Sequence, residues 1–492
     1  MGSRTASAPP GGTAAAPDTE RPGVILVAHG SAKSGASAEP VLELARALRP
    51  GFPEVRTAFW KEEPFLHQAL DTVRAASVIV LPVFLAEGYF TRTVVPRELG
   101  LRPGPNRVGA RPVHLLPPLG TSPALAALVA DRARAAAPPG ANLADALLVV
   151  LGHGTPRDPG SADAVLAACA RLAAQGRFAR VAPAFIDQEP GIADALAGAR
   201  EPLVLLVPFL VAAGWHGGTT VPRDLEREGA ASGRAVIYAE PVGTHPGIVD
   251  AAASLLLEAE RTLEPGSRVS SPLALMEAAL VDRLAGRGAV VLLQVAIRPD
   301  GSAFELRHVE DGGRPTAALK AVAGTEALEL RARRTDDGRH RPLRTAADLP
   351  RGWRFRAEGP RALVEALIAL YGPALAHWHR AETDRVEVAS FRARAAGQSG
   401  MYARLAGVER GTVEDAVEGV CDGLPCLRDR LWPIDATAVP PVRGGAEGSP
   451  ERLPVSCPTP CPMLLTAVLE RAGGADPDAQ ANVGVDDLGA RG

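Results

Sequence analysis

At 492 residues, 46% of them hydrophobic, the chain is long enough to fold as three or more domains with cores of their own. A net charge of −3 from 53 basic and 56 acidic residues, with no block of like charge, leaves no electrostatic footprint for nucleic acid. The longest apolar runs, Ser77 to Ala86 and Leu203 to Val211, are about half the length of a bilayer crossing, so no membrane span is expected and a cytoplasmic location is.

In chain order, residues 1–22 are rich in Ala, Pro, Gly and Thr without an apolar segment, and are expected to be a disordered leader. From residue 23 short Val/Ile/Leu runs alternate with Ala/Leu/Arg helical patterns, and the passage is written twice at an offset of about 125 residues. The run Val24 to Ala28 ends in His29-Gly30-Ser31, and the run Leu147 to Gly152 ends in His153-Gly154-Thr155. The block Ala58-Phe59-Trp60-Lys61-Glu62-Glu63-Pro64 returns as Ala184-Phe185-Ile186-Asp187-Gln188-Glu189-Pro190, and Pro82 to Phe90 returns as Pro208 to His216. Such a repeat is one small domain duplicated, giving lobes at 23–138 and 139–263 with a cleft between them as the expected ligand site.

Alternating β and α elements with continuously apolar strands predict the α/β class, with a parallel sheet in each lobe covered on both faces. Such sheets keep functional residues at the carboxyl ends of strands, where His29, Glu87, His153 and His216 all fall. The linkers Ala137-Pro138-Pro139-Gly140 and Leu263-Glu264-Pro265-Gly266-Ser267 close the lobes. Residues 272–395 read as an α+β accessory domain, with a helix to about Gly286, a strand ending at Arg298-Pro299-Asp300-Gly301 and a helix from Arg361 to Tyr371, but with no chemistry motif. Residues 396–475 hold four of the five cysteines, 436–454 read as a flexible Pro/Gly-rich loop, and 476–492 read as a disordered tail.

The two copies differ where chemistry is expected. His153 and His216 sit in glycine-flanked loops, whereas the first copy has Phe90 opposite His216 and Glu87 opposite Ala213. Neutral imidazole is the commonest metal ligand, and two imidazoles from two loops at one sheet end can hold a borderline ion such as Co²⁺ or Fe²⁺, with a carboxylate beside them to accept a proton. The basic residues Lys61, Arg92, Arg97 and Arg223 lie in or beside these loops, and Arg92 is the candidate among them for a binding role. His245 reads as a helix-start residue, His377 and His379 do not share a helix face, and Cys169 reads as core. Cys421, Cys426, Cys457 and Cys461 cluster late in the chain, which points to an iron–sulfur cluster, a zinc site or redox thiols.

The His-Gly-Ser/Thr strand ends, the Pro-Phe-Leu-x-x-Gly-x-His loop and the following Val-Pro-Arg-Asp/Glu-Leu (Val95 to Leu99, Val221 to Leu225) resemble the class II tetrapyrrole chelatases, the sirohydrochlorin cobalt- and ferrochelatases of CbiX and CbiK type, over about residues 23 to 262. The resemblance implies that His153 and His216 bind the incoming metal with Glu87 completing the site, that His29 and Arg92 contact substrate, and that sirohydrochlorin and a divalent ion are the partners. It also implies a carboxy-terminal [4Fe–4S] cluster on Cys421, Cys426, Cys457 and Cys461, with a redox partner if the cluster cycles. The expected activity is chelation with Co²⁺ favoured, in cobalamin or siroheme biosynthesis. The alternatives are ferrochelation, a non-catalytic metal or tetrapyrrole carrier, and an iron–sulfur oxidoreductase acting on tetrapyrroles.

Overall fold

The computed structural model describes residues 21–31, 38–155, 158–212, 235–264, 266, 272–285, 287–334, 349–383, 386–398, 400–422, 426–435 and 451–473. The leader to residue 20, the segment 213–234 with His216 and Arg223, most of the expected flexible loop, and the tail lie outside them.

Lobe 1 is built on strands β1 (Gly23–Ala28), β2 (Val55–Phe59), β3 (Val78–Pro82), β4 (Gly104–Val108) and β5 (Arg111–Leu115), in the order β2-β1-β3-β5-β4. Lobe 2 repeats the plan with β6 (Ala146–Gly152), β7 (Arg180–Phe185), β8 (Leu203–Pro208) and β9 (Ala235–Tyr238), ordered β7-β6-β8-β9. Every pairing is parallel except that of β4, which turns back at Gly109 to pair antiparallel with β5 as an edge. The all-parallel expectation for lobe 1 is corrected there: Val108-Gly109-Ala110-Arg111 is a hairpin turn with glycine at φ +60°, and Pro105 is tolerated because β4 lies at the edge.

The central strands are apolar throughout because both faces are covered. In β1, Val24 and Leu26 face one core while Ile25 and Val27 face another with Trp60 and Leu66. In β6, Leu148 and Val150 enter that first core, and Leu147, Val149 and Leu151 the opposite one. The shared core also takes Leu125 and Val129 of helix α1 (Leu125–Ala136) and Val165 and Leu172 of helix α2 (Asp163–Ala174), so the lobes are welded by apolar packing.

The third region is a mixed sheet of β10 (Val290–Leu292), β11 (Val295–Asp300), β12 (Ala303–His308), β13 (Lys320–Val322) and β14 (Trp353–Ala357), backed by helices Gly359–Tyr371 and Ala374–Glu382. Its sixth strand, Glu451–Leu453, pairs parallel with β10. The expectation of a loop through 436–454 is therefore corrected at its end, where the cysteine-bearing region lends a strand to its neighbour. That region is helical, with a core of Phe391, Trp432, Leu464, Leu465 and Val468.

Both added domains grip lobe 1 through ion pairs. Arg56 meets Glu365 at 2.6 Å, Arg49 meets Glu329 at 2.7 Å, and Arg380 pairs with Asp71. A cavity of about 430 Å³ lies within this contact, at the amino ends of β2 and β3, away from the His-Gly loops. From the cysteine-bearing region Arg394 forks onto Glu98 at 2.5 and 3.1 Å, and Arg428 reaches Glu63 at 3.0 Å; the side chains of both glutamates are fully buried. Glu98→Ala leaves Arg394 without its carboxylate in a buried contact, so it should destabilise docking by about 3–5 kcal/mol, seen as a lowered denaturation midpoint and faster proteolysis after residue 383.

Where the three units meet, half-buried His67 and buried His377 lie beside Gln68, whose Nε2 is 3.5 Å from His377 Nε2. Desolvation, then the charges of Arg394, Arg428 and Arg380, push His67 down to about 3, and burial with Arg428 drives His377 well below the usual imidazole value. Both stay neutral in the fold, while in the unfolded chain they take up protons below about pH 6.5. Stability should therefore be flat above pH 6.5 and fall as pH drops toward 3, by up to about 1.4 kcal/mol per pH unit for each histidine. Urea titrations across that window should show a shallower slope for His377→Gln; an unchanged slope would contradict the assignment.

Candidate metal site at the lobe cleft

Each lobe fixes its His-Gly turn by the same backbone device. The His29 carbonyl accepts from the amides of Trp60 and Lys61 at 3.0 and 2.8 Å, and the His153 carbonyl accepts from Ile186 and Asp187 at 3.0 and 2.9 Å. The next glycines, Gly30 and Gly154, stand at φ +65° and +70°, and a Cβ on Gly154 would come within 2.5 Å of Gln188. The following amide is held by a side chain from the same β2-type loop: Ser31 N–H donates to Glu62 Oε1 at 3.2 Å, and Thr155 N–H to Gln188 Oε1 at 2.7 Å.

The imidazoles are oriented alike. Nδ1 of His29 donates to the Gly30 carbonyl at 2.9 Å and Nδ1 of His153 to the Gly154 carbonyl at 3.0 Å. A carbonyl can only accept, so in the neutral ring the proton sits on Nδ1 and Nε2 carries the lone pair a metal needs. Here the copies part. Asp187 Oδ2 lies 3.3 Å from His153 Nδ1, and both side chains are about half exposed. The matching residue in lobe 1 is Lys61, which is buried. Lobe 1 thus has Lys61 and Glu62 where lobe 2 has Asp187 and Gln188, and the carboxylate beside the lobe 2 imidazole favours a cation there. Asp187 was missed in the sequence, although a lysine facing an aspartate across the repeat was the signal.

Phe90 occupies the lobe 1 position of His216, and its ring lies 5.1 Å from His29, 5.1 Å from Phe84 and 6.3 Å from Trp60. Glu87 and Arg92 stand on the loop after β3 and reach lobe 2: Arg92 lies 3.4 Å from Glu87 and 3.4 Å from Asp158, its guanidinium seated on Gly160. The structure therefore brings Glu87, Arg92 and the His153 loop to one inter-lobe seam. His216 lies outside the described residues. Arg97 is not at the cleft; it bonds Gly397, Gln398 and Glu98 and so belongs to the docking contact. His245 accepts from the Gly247 amide at 3.0 Å and caps a helix start, and Cys169 is core, its thiol pushed up to about 12 by burial.

The duplicated α/β fold thus carries equivalently oriented imidazoles at the ends of the first strands of both lobes, with Arg92 of lobe 1 meeting Asp158 of lobe 2 beside them. The CbiX family model matches residues 23–136 and 147–259, a DR2241 stabilising domain matches 278–382, and a 4Fe-4S iron-sulfur cluster binding domain matches 383–470. A probable sirohydrochlorin cobaltochelatase of Halobacterium salinarum is 31% identical over 275 residues, covering 50% of this chain and 92% of that protein. The crystal structure of DR2241 from Deinococcus radiodurans, described as a multi-domain protein with structural similarity to chelatases and two additional novel domains, matches with a TM-score of 0.75 and 30% identity over 92% of this chain and 99% of that one. The chain belongs to the CbiX chelatase family, in a long form with a stabilising domain and a carboxy-terminal [4Fe–4S]-binding domain.

The cysteines suit that group. Cys421, Cys457 and Cys461 are half-buried against one core, Arg430 pairs in register with Cys457, and burial raises all three thiols, Cys457 to about 11 and Cys461 to about 12. Electrostatic coupling of Cys421 to the other three places the four thiols in one neighbourhood. No helix of the described residues is long and apolar enough to cross a membrane.

Asp187→Asn should weaken Co²⁺ binding by about 10–100-fold by removing the carboxylate beside His153, measured by titration calorimetry. Lys61→Ala should leave that affinity within about twofold.

Proposed function

We propose that the protein inserts a divalent metal, Co²⁺ in preference to Fe²⁺, into sirohydrochlorin, with His153 and His216 receiving the ion, Asp187 orienting the His153 ring, and Glu87 standing across the seam to accept a pyrrole proton. The observation that carries this reading is a difference between the copies: the same turn holds both histidines, but Asp187 stands 3.3 Å from the lobe 2 imidazole at the position that lobe 1 gives to the buried Lys61. Imidazole and carboxylate without thiolate hold a borderline ion loosely enough to release it. The name of the Halobacterium relative supports both the macrocycle and the preference for cobalt.

Within this reading the chain's residues divide the work. Asp187 and the Gly154 carbonyl keep the proton of His153 on Nδ1 so that Nε2 faces the metal as a donor. His29 and Phe90 form the facing wall of the cleft, where an imidazole and an apolar ring suit a flat macrocycle. Arg92, shared between Glu87 and Asp158, can turn from these carboxylates to one on the substrate.

Anaerobic spectrophotometric assays of Co²⁺ and Fe²⁺ insertion into sirohydrochlorin test the proposal. His153→Ala and His216→Ala should each lose about 10²-fold or more in rate, and Glu87→Gln should lower the rate with little effect on Co²⁺ binding. Macrocycle binding without acceleration over the uncatalysed reaction would favour a carrier, and a faster reaction with Fe²⁺ would make the protein a ferrochelatase.

A further inference from the structure

The four-cysteine domain meets lobe 1 at the aromatic residue Trp60, which leads through Phe90 to His29. Tyr402 lies in the core that the cysteines border, and its hydroxyl lies 2.9 Å from Thr466 Oγ1, on the helix that begins directly after Cys461. Its ring meets the Trp60 ring edge-on at 6.2 Å, Trp60 meets Phe90 at 6.3 Å, and Phe90 meets His29 at 5.1 Å. Four rings thus run in unbroken contact from the cysteine domain to the cleft. Trp60 is 2% exposed. Around it the contact is pinned by the Arg394–Glu98 fork, with Arg394 also over the Trp60 ring at 6.0 Å, and by the Arg428–Glu63 pair.

Insertion of a divalent ion moves no electrons, so nothing in chelation requires this construction. Buried, tightly packed aromatic rings are good matter for an electron to tunnel through, and a docking contact with fully buried carboxylates on arginines fixes distance in a way a loosely tethered domain does not. We propose that Tyr402, Trp60 and Phe90 form a path for single electrons between a cluster held by Cys421, Cys426, Cys457 and Cys461 and the metallated tetrapyrrole in the cleft. The proposal rests on the cleft binding that macrocycle.

The exchange is one electron. A reduced cluster, [4Fe–4S]⁺, becomes [4Fe–4S]²⁺, and a trivalent cobalt ion in the macrocycle becomes divalent. No bond to the protein forms and no proton moves. A low-potential one-electron donor, dithionite in the assay, reduces the cluster again. The purpose follows from ligand-exchange chemistry: low-spin Co³⁺ exchanges its axial ligands slowly, so a product oxidised on the site would be trapped by the imidazoles that delivered the metal, whereas Co²⁺ exchanges them fast and can leave. The path makes lobe 1, which has Phe90 where lobe 2 has His216, the electron entrance to lobe 2.

The test uses the full chain with its cluster reconstituted, reduced by one equivalent of dithionite and mixed anaerobically with Co³⁺-sirohydrochlorin whose binding has been measured separately by its absorption shift. The signal is loss of the reduced-cluster electron paramagnetic resonance together with appearance of the Co²⁺ macrocycle spectrum. Trp60→Leu and Tyr402→Leu should each slow this exchange by about tenfold or more. Trp60→Phe should recover much of the rate, and all three should keep wild-type cluster content and wild-type reoxidation by ferricyanide in solution. Variants that exchange at the wild-type rate, or a wild-type cluster that stays reduced beside bound Co³⁺-sirohydrochlorin, would overturn the path and leave the chelatase reading standing. Failure of the macrocycle to bind would overturn both.

Discussion

Each lobe hangs its chemistry on one peptide plane. The carbonyl of the histidine that ends the first strand is held by two amides from the loop after the second strand, the next glycine takes a left-handed conformation, and the imidazole folds its Nδ1 proton onto that glycine's own carbonyl. Without this device a histidine at a strand end is a mobile side chain with either tautomer. With it, Nε2 becomes a fixed lone pair at the mouth of the cleft. Gln188 and Glu62, Asp187 and Lys61 all act on a turn whose geometry is already set, so duplication could preserve the scaffold in both copies while the residues around it diverged.

That divergence gives the molecule its polarity. Lobe 2 gathers imidazole and carboxylate. Lobe 1 gathers a buried lysine and a wall of rings, and its outer surface carries both added domains through buried or half-buried ion pairs. A buried carboxylate such as Glu98 costs desolvation unless a guanidinium meets it squarely, so these contacts specify one docked arrangement more than they add stability. The accessory sheet completes itself with Glu451–Leu453, past two of the cysteines, which ties the two added domains together. The cluster domain, the stabilising domain and lobe 1 therefore form one scaffold.

Much of this was legible in the sequence. The strands read clearly because burial on both faces leaves no alternation to confuse, and the repeat itself gave the lobes and the placing of His29, Glu87 and His153 at strand ends. The edge strand β4 was less visible because edges tolerate Pro105 and polar residues, which read as loop. Glu451–Leu453 was hidden because three residues pairing with a distant strand leave no periodicity. Arg97 stands beside the site loops in the sequence, yet its side chain turns to Gly397 and Gln398 of the neighbouring domain. Asp187 was the real omission: its evidence was a change of charge between copies, visible once the two blocks are compared residue by residue instead of searched for shared histidines.

The central claim is that the two copies have divided their roles, with the metal received in lobe 2. X-ray absorption at the cobalt edge of the Co²⁺-loaded protein tests it most directly. The account predicts a first shell containing imidazole nitrogen that persists in His29→Ala and collapses in His153→Ala. A shell that survives loss of His153 and is lost with His29 would place the metal in lobe 1 and contradict it.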